Sequence, residues 1–86
     1  MIDIEKIKER KKIRKEILEE LYELWFNTES SALVGTKQQI YQESREQQNA
    51  FHYLLSMEFI DISTLGERLV IRITAKGIEH VETIYS

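Results

Sequence analysis

Apolar residues recur at helical spacing through the first third of the chain. Ile13, Ile17, Leu21, Leu24 and Trp25 fall at i, i+4, i+8, i+11 and i+12, which puts them on one stripe of an α-helix. Leu18, Tyr22 and Phe26 widen the stripe. The predicted helix starts at Ile4 or Ile7 and runs to Phe26. Its stripe lapses between Ile7 and Ile13, so the first turns are expected to project beyond the core. The polar run from Asn27 to Ser31 breaks the pattern, and Ala32-Leu33-Val34 is a candidate for a very short strand.

Two helix starts follow closely. Thr36-Lys37-Gln38-Gln39 and Ser44-Arg45-Glu46-Gln47 both have the form of a capping box. In such a box a hydroxyl accepts from an N–H three residues on, and the Gln side chain reaches back. The spacing predicts a short helix over 37–42, a tight turn, and a further helix over 45–57. One helix running through both boxes is the competing arrangement. The later helix directs Ala50, Phe51, Leu54 and Met57 inward, with Leu55 beside them. Its opposite stripe is Arg45, Gln48, Asn49, His52 and Ser56.

From Phe59 onward the period changes to two. Ile60 and Ile62 share one strand face, and Leu69, Ile71 and Ile73 share one face of a return strand. Arg68, Val70 and Arg72 point the other way. Thr64-Leu65-Gly66-Glu67 supplies the turn, where Gly66 takes a positive φ without steric cost. Thr74 caps a last helix whose apolar side is Ile78, Val81 and Tyr85, with Ile84 adjacent. Helix, strand, helix, helix, hairpin, helix is an α+β order. It predicts a winged helix-turn-helix with a three-helix core, a two- or three-stranded antiparallel wing and a C-terminal helix. Residues 1–86 form a single domain, of which 1–12 are a basic helical arm.

Composition narrows this reading. A domain of 86 residues buries only roughly 60–65% of its unfolded surface, so an efficient core or a shared one is needed. There is no Pro and there are three Gly, which argues against long linkers. The absence of Cys rules out disulfides and thiolate metal sites and fits a reducing, cytoplasmic setting. No apolar run approaches the roughly 18 residues that span a bilayer, and the first residues lack the apolar core of a signal peptide. The net charge of -3 hides an asymmetry. Residues 1–15 carry seven basic and three acidic side chains, a surplus of +4, and the remainder carries five and twelve, a balance of -7. DNA-binding domains draw most of their affinity from neutralised phosphates, so an acidic body with a basic arm weighs against strong binding.

Some of these residues resemble a known group. Tyr53-Leu54-Leu55-Ser56-Met57-Glu58-Phe59-Ile60 resembles the end of a recognition helix entering the first wing strand of winged-helix regulators. Ile73-Thr74-Ala75-Lys76-Gly77 resembles the Leu-Thr-x-x-Gly element opening the last helix of MarR-like and PadR-like domains. Length and layout are similar to small YjcQ-type winged-helix proteins of bacteria and phages, over about Ile13 to Val81. Two departures stand out: the turn between Tyr41 and Arg45 has no Gly, and Glu58 sits where many relatives have Gly. The resemblance implies a small DNA-binding, transcription-related protein. A protein-interaction module on the same scaffold is the alternative.

The candidate DNA-binding residues are Lys37, Arg45, Gln48, Asn49, His52, Arg68 and Arg72. Asn and Gln pair bidentately with adenine, and Arg with guanine. Lys37, Arg68 and Arg72 suit phosphates, Lys37 beside the free N–H groups of a helix start. The plain reading of the same stripe is a solvated polar face. Basic residues from Lys6 to Lys15 are either a phosphate-binding extension or a solubilising end. Trp25, Tyr22 and Phe26 are expected in the core. The sharper alternative is a homodimer interface of Trp25 with Ile78, Val81, Ile84 and Tyr85. His52 and His80 are the only histidines, and no metal-ligand spacing, phosphate loop or nucleophile elbow occurs. No catalytic role, metal or cofactor is therefore expected.

Overall fold

The computed structural model describes residues 1–27 and 31–85. Its elements are α1 (Ile4–Asn27), β1 (Leu33–Thr36), α2 (Lys37–Tyr41), α3 (Arg45–Ser56), β2 (Ile60–Leu65), β3 (Arg68–Ile73) and α4 (Ala75–Tyr85). The middle of the polar break after α1, residues 28–30, lies outside the described residues. The architecture is α+β, with four helices and a three-stranded antiparallel sheet, and is compatible with a winged-helix-like fold.

Local chemistry explains why α2 and α3 are separate. At Thr36 both halves of the capping box form: its hydroxyl accepts from the Gln39 N–H at 3.2 Å, and Gln39 Oε1 accepts from the Thr36 N–H at 3.0 Å. Six residues later Gln42, and then Glu43, turn left-handed, with φ of 53° and 54°. The Gln42 N–H closes back on Gln38 O at 2.9 Å, and the Ser44 N–H on Tyr41 O at 2.9 Å. Ser44 Oγ then accepts from the Gln47 N–H and starts α3. The two-helix arrangement holds, and its turn is built without Gly at a cost of about 1–2 kcal/mol per left-handed residue.

The far end of α3 has the same feature. The Phe59 N–H donates to Leu54 O and the Glu58 N–H to Leu55 O, both at 3.0 Å. This is a Schellman ending, and Glu58 fills its left-handed position with φ 65°, where Gly is the usual residue. The same corner receives α4. Thr74 donates its N–H to Phe59 O at 2.9 Å and its hydroxyl to Glu58 O at 2.6 Å, while its Oγ1 accepts from the Gly77 N–H at 3.1 Å.

The sheet runs β1-β3-β2. Leu65 pairs with Arg68, so Gly66 and Glu67 form a two-residue hairpin loop, with Gly66 at φ 63°. Thr36 also pairs with Arg68, on the other side of β3. Period two holds throughout: Leu69, Ile71 and Ile73 are buried, while Arg68 and Arg72 are exposed. The core joins this face to Ile17, Leu18 and Leu21 of α1, Phe51 and Leu54 of α3, and Val81 of α4.

Three expectations about burial are corrected. Met57 is exposed, because α3 has ended by then and the residue sits at its C-cap. Trp25 and Phe26 are also exposed. Burial along α1 ends at Leu24, and the two aromatics occupy the turn beyond, where the Phe26 ring meets the Tyr22 ring with centroids 4.8 Å apart. Val81 is 5% exposed and belongs to the core, so it is not available to a second chain. Among the described residues no helix is long and apolar enough to cross a membrane.

Candidate nucleic-acid interface

Helix α3 packs its Ala50–Phe51–Leu54 side against α1 and β2, and the 3.6-residue period sends Arg45, Gln48, Asn49 and His52 to the opposite side. All four are exposed. The His52 ring stands edge-on to Tyr41, with centroids 6.0 Å apart. Tyr41 itself is half-buried against Phe51, and burial raises its phenol above the ordinary range. The sequence-predicted stripe is therefore one continuous polar face.

The remaining predicted residues are less well gathered. Lys37 opens α2 directly after Thr36, and the Thr36–Arg68 pairing brings that helix start to the hairpin-loop end of the sheet. Arg68 shares this end. Arg72 shares the outward face of β3 with Arg68, but it lies four residues away, about 13 Å along the strand. It also sits directly across the ladder from Asp61, which offsets its charge. Arg72 is the weakest of the candidates.

The surroundings of α3 contain residues missing from the sequence-based set. Arg10 of α1 clamps Glu46 of α3 through two hydrogen bonds, Nε to Oε2 at 2.9 Å and Nη2 to Oε1 at 3.1 Å. One turn on, the Arg14 guanidinium lies over the Tyr53 ring, 3.8 Å from its centroid, with its Nε buried and unpartnered. A shallow groove between the helices is lined by Arg10, Arg14, Glu46, Asn49 and Ala50. The basic half of α1 thus runs along the flank of α3 and does not simply project from the body. The signal was present in the spacing. Ile7, Arg10, Arg14 and Ile17 continue the inward stripe at i, i+3, i+7 and i+10, with two arginines where a count of apolar residues sees only a lapse.

This placement changes the electrostatics of α3. The hydrogen bond from Arg10 holds the Glu46 carboxyl below the ordinary carboxylate range, partly opposed by burial and aided by the charges of Arg10, Lys6 and Arg14. The acid at the start of α3 is therefore neutralised by its neighbours. A carboxyl whose folded pKa is depressed stabilises the fold above its unfolded pKa, and that contribution is lost as pH falls through the lowered value. Both partners are about two-fifths exposed, so the energy involved is small. In Arg10→Ala, the Glu46 carboxyl is expected to titrate at higher pH, back toward the ordinary range. A side-chain carbon NMR titration reads this directly, and an unmoved midpoint would mean that the clamp does not form in solution.

The candidate dimer residues divide. Ile78 packs partly against the core and Val81 fully, while Trp25, Ile84 and Tyr85 are exposed. The Tyr85 hydroxyl donates to Glu19, and that of Tyr22 to Glu82 at 3.0 Å. These contacts tie α4 along α1. Among the described residues no group of three or more His, Cys, Asp or Glu is placed to hold a metal ion. No protein-family model, no curated protein and no solved structure matches this chain.

Proposed function

We propose that the chain is a winged helix-turn-helix protein that binds double-stranded DNA and acts in transcriptional control, with α3 as the helix that enters the major groove. The observation carrying this reading is the single exposed face of Arg45, Gln48, Asn49 and His52, flanked by the cationic half of α1. Side chains of these types pair with base edges. Lys6, Arg10 and Arg14 supply positive charge beside a stripe that would otherwise be nearly neutral. Lys37 and Arg68 meet phosphates at the hairpin-loop end of the sheet, with Arg72 as an outlying contact.

A fluorescence titration against mixed duplexes at low and moderate salt tests the reading. Expected is micromolar binding whose logarithm falls linearly with log salt, with a slope of about -0.9 for each phosphate neutralised. On a duplex selected for tight binding, Arg45→Ala is expected to cost about 1–3 kcal/mol. Unchanged affinity for the selected site would remove α3 from the groove. No binding at low salt would favour the second reading, a protein-interaction module on the same scaffold. That reading draws on the acidic balance beyond residue 15 and on the exposed apolar side chains Tyr53, Leu55 and Met57.

A further inference from the structure

The first half of α1 brings three cations to one groove. Lys11, Arg14 and Lys15 border a groove of about 370 Å³ between α1, the end of α3 and α4. Its floor is apolar and includes Met57 and Phe59, with Ile84 on the α4 side. Met57 is 41% exposed and Ile84 49%, so two large apolar side chains meet water there. Arg45, Gln48, Asn49 and His52 do not line it. The groove is therefore separate from the proposed base-reading stripe.

These cations are unmatched within the chain. Among the described residues no carboxylate lies within ion-pair distance of Lys11, Arg14 or Lys15, while Arg10, Lys12 and Lys76 are paired. Glu19 also lines the groove, but it accepts from the Tyr85 hydroxyl. Lys11 and Lys15 form a like-charge i,i+4 pair, which repels. Arg14 is half-buried, with its guanidinium 3.8 Å from the Tyr53 ring centroid and its Nε buried without a partner. Stacking occupies the face of a guanidinium and leaves its in-plane donors for a carboxylate. A buried donor without an acceptor costs stability, and among the described residues no acid supplies one. The complement of this groove is negative charge joined to an apolar body.

We propose that this groove docks an acidic amphipathic helix of a partner protein. Carboxylates at i and i+4 of that helix meet Lys11 and Lys15, a third reaches Arg14, and its apolar side chains cover Met57 and Ile84. Spacing favours a helix as the occupant. Lys11 and Lys15 are four residues apart on one ridge, about 6 Å along the axis, which is also the separation of i,i+4 acids on a helix lying alongside. Seating an amphipathic helix by its apolar face is a general recognition mode. A small amphipathic anion needs one cation and an enclosed pocket. This groove has three cations and runs on into a second groove, with which it shares Glu19, Val81 and Tyr85. Glu19, Glu23 and Glu82 line that second groove, so it repels acids and confines the partner's carboxylates to the lysine end. A contact held in one groove is small beside the roughly 800 Å² per partner of a standard interface, so affinity belongs in the micromolar range. The inference is independent of DNA binding by α3 and is tested without DNA.

Fluorescence anisotropy of labelled synthetic peptides with the full chain is the experiment. The probe is a helical peptide about 21 Å long, or about 14 residues, with leucines on one stripe and glutamates beside it. One control carries lysines in place of the glutamates, and another has the probe's composition with the stripe scrambled. Expected is micromolar binding of the probe, weakened by salt, and binding of both controls about tenfold weaker or more. Lys11→Glu with Lys15→Glu should weaken binding of the probe about tenfold or more and strengthen that of the lysine peptide. Circular dichroism checks that this variant remains helical, and Lys11→Gln with Lys15→Gln replaces it if it does not, with weaker probe binding again expected. A probe that does not bind at low salt overturns the proposal. Equal binding of the scrambled peptide also overturns it, by reducing the groove to a cationic patch without shape. Probe binding that the lysine substitutions leave intact overturns it by placing the site elsewhere. Displacement of the probe by an equal concentration of decanoate overturns it in favour of a small amphipathic anion.

Discussion

Phe51→Ala is expected to remove about 3–5 kcal/mol of stability. Phe51 is 2% exposed and belongs to the same core cluster as Leu21, Ile60 and Ile71, so it ties α3 to both α1 and the sheet. Its ring also meets Tyr41, with centroids 5.6 Å apart. Truncation removes most of this large side chain, and the cavity that remains is bounded by elements that cannot all move inward. A domain of 86 residues has a total stability of about 4–13 kcal/mol, so a large part of the margin goes with one ring. Urea unfolding followed by far-ultraviolet circular dichroism reads the loss as a lowered midpoint at unchanged slope. Phe51→Leu, which keeps much of the volume, should cost clearly less. If Phe51→Ala lowers stability by under about 1 kcal/mol, the site collapses freely and α3 is not anchored as described. The functional consequence is direct, because the same anchoring keeps Arg45, Gln48, Asn49 and His52 on the outside.

Much of the fold was legible in the sequence where a local rule fixes the answer. The Thr36 box and the Ser44 cap each depend on residues three apart, and both formed. The hairpin itself was legible from period two and Gly66, but its register was not: the turn was expected over Thr64–Glu67, whereas Thr64 and Leu65 belong to β2 and the loop is Gly66 and Glu67 alone. The inward faces of α3 and β3 follow from spacing alone. What spacing does not determine is the chemistry of an inward position. Arg10 and Arg14 lie on the packed side of α1, where the neighbour is another helix offering a carboxylate and an aromatic ring. A periodicity argument that counts only apolar residues sees a lapse at that point. Trp25 and Met57 fail for the opposite reason. Each continues an apolar pattern past the end of the packing: Trp25 lies beyond the last buried turn of α1, and Met57 is the C-cap of α3. The candidate site was half legible on the same grounds: its polar face is local, but its cationic flank is tertiary.

The two departures from the familiar pattern also have a structural meaning. Gln42, Glu43 and Glu58 hold left-handed conformations at the two ends of α3. Each costs about 1–2 kcal/mol relative to a relaxed backbone. The surrounding hydrogen bonds impose them, through closure onto Gln38 and Tyr41 at one end and onto Leu54 and Leu55 at the other. Backbone strain concentrated at both ends of one helix fixes its length and direction. That helix is the one presenting the proposed base-reading stripe.

Gly77→Ala is expected to destabilise the protein by about 3 kcal/mol or more, at the upper end of what overpacking costs. In an exposed helix the same change stabilises by about 1 kcal/mol, since Ala is the better helix former. The sign reverses here because of what a Cβ would meet. It would lie 2.2 Å from Phe59 O, 3.0 Å from Phe59 C and 2.8 Å from Ile73 Cγ1. The nearest obstacles are backbone atoms, which no rotamer change relieves. Phe59 O is also committed, as it accepts the Thr74 N–H that starts α4, so backing the helix away breaks its own cap. Gly66→Ala is the control. That residue has a positive φ but nothing within 4 Å of a Cβ, so the cost is conformational alone, about 1–2 kcal/mol. Thermal or urea unfolding of the two variants should rank Gly77→Ala clearly below Gly66→Ala. A Gly77→Ala protein as stable as wild type would show that α4 stands off the α3–β2 corner.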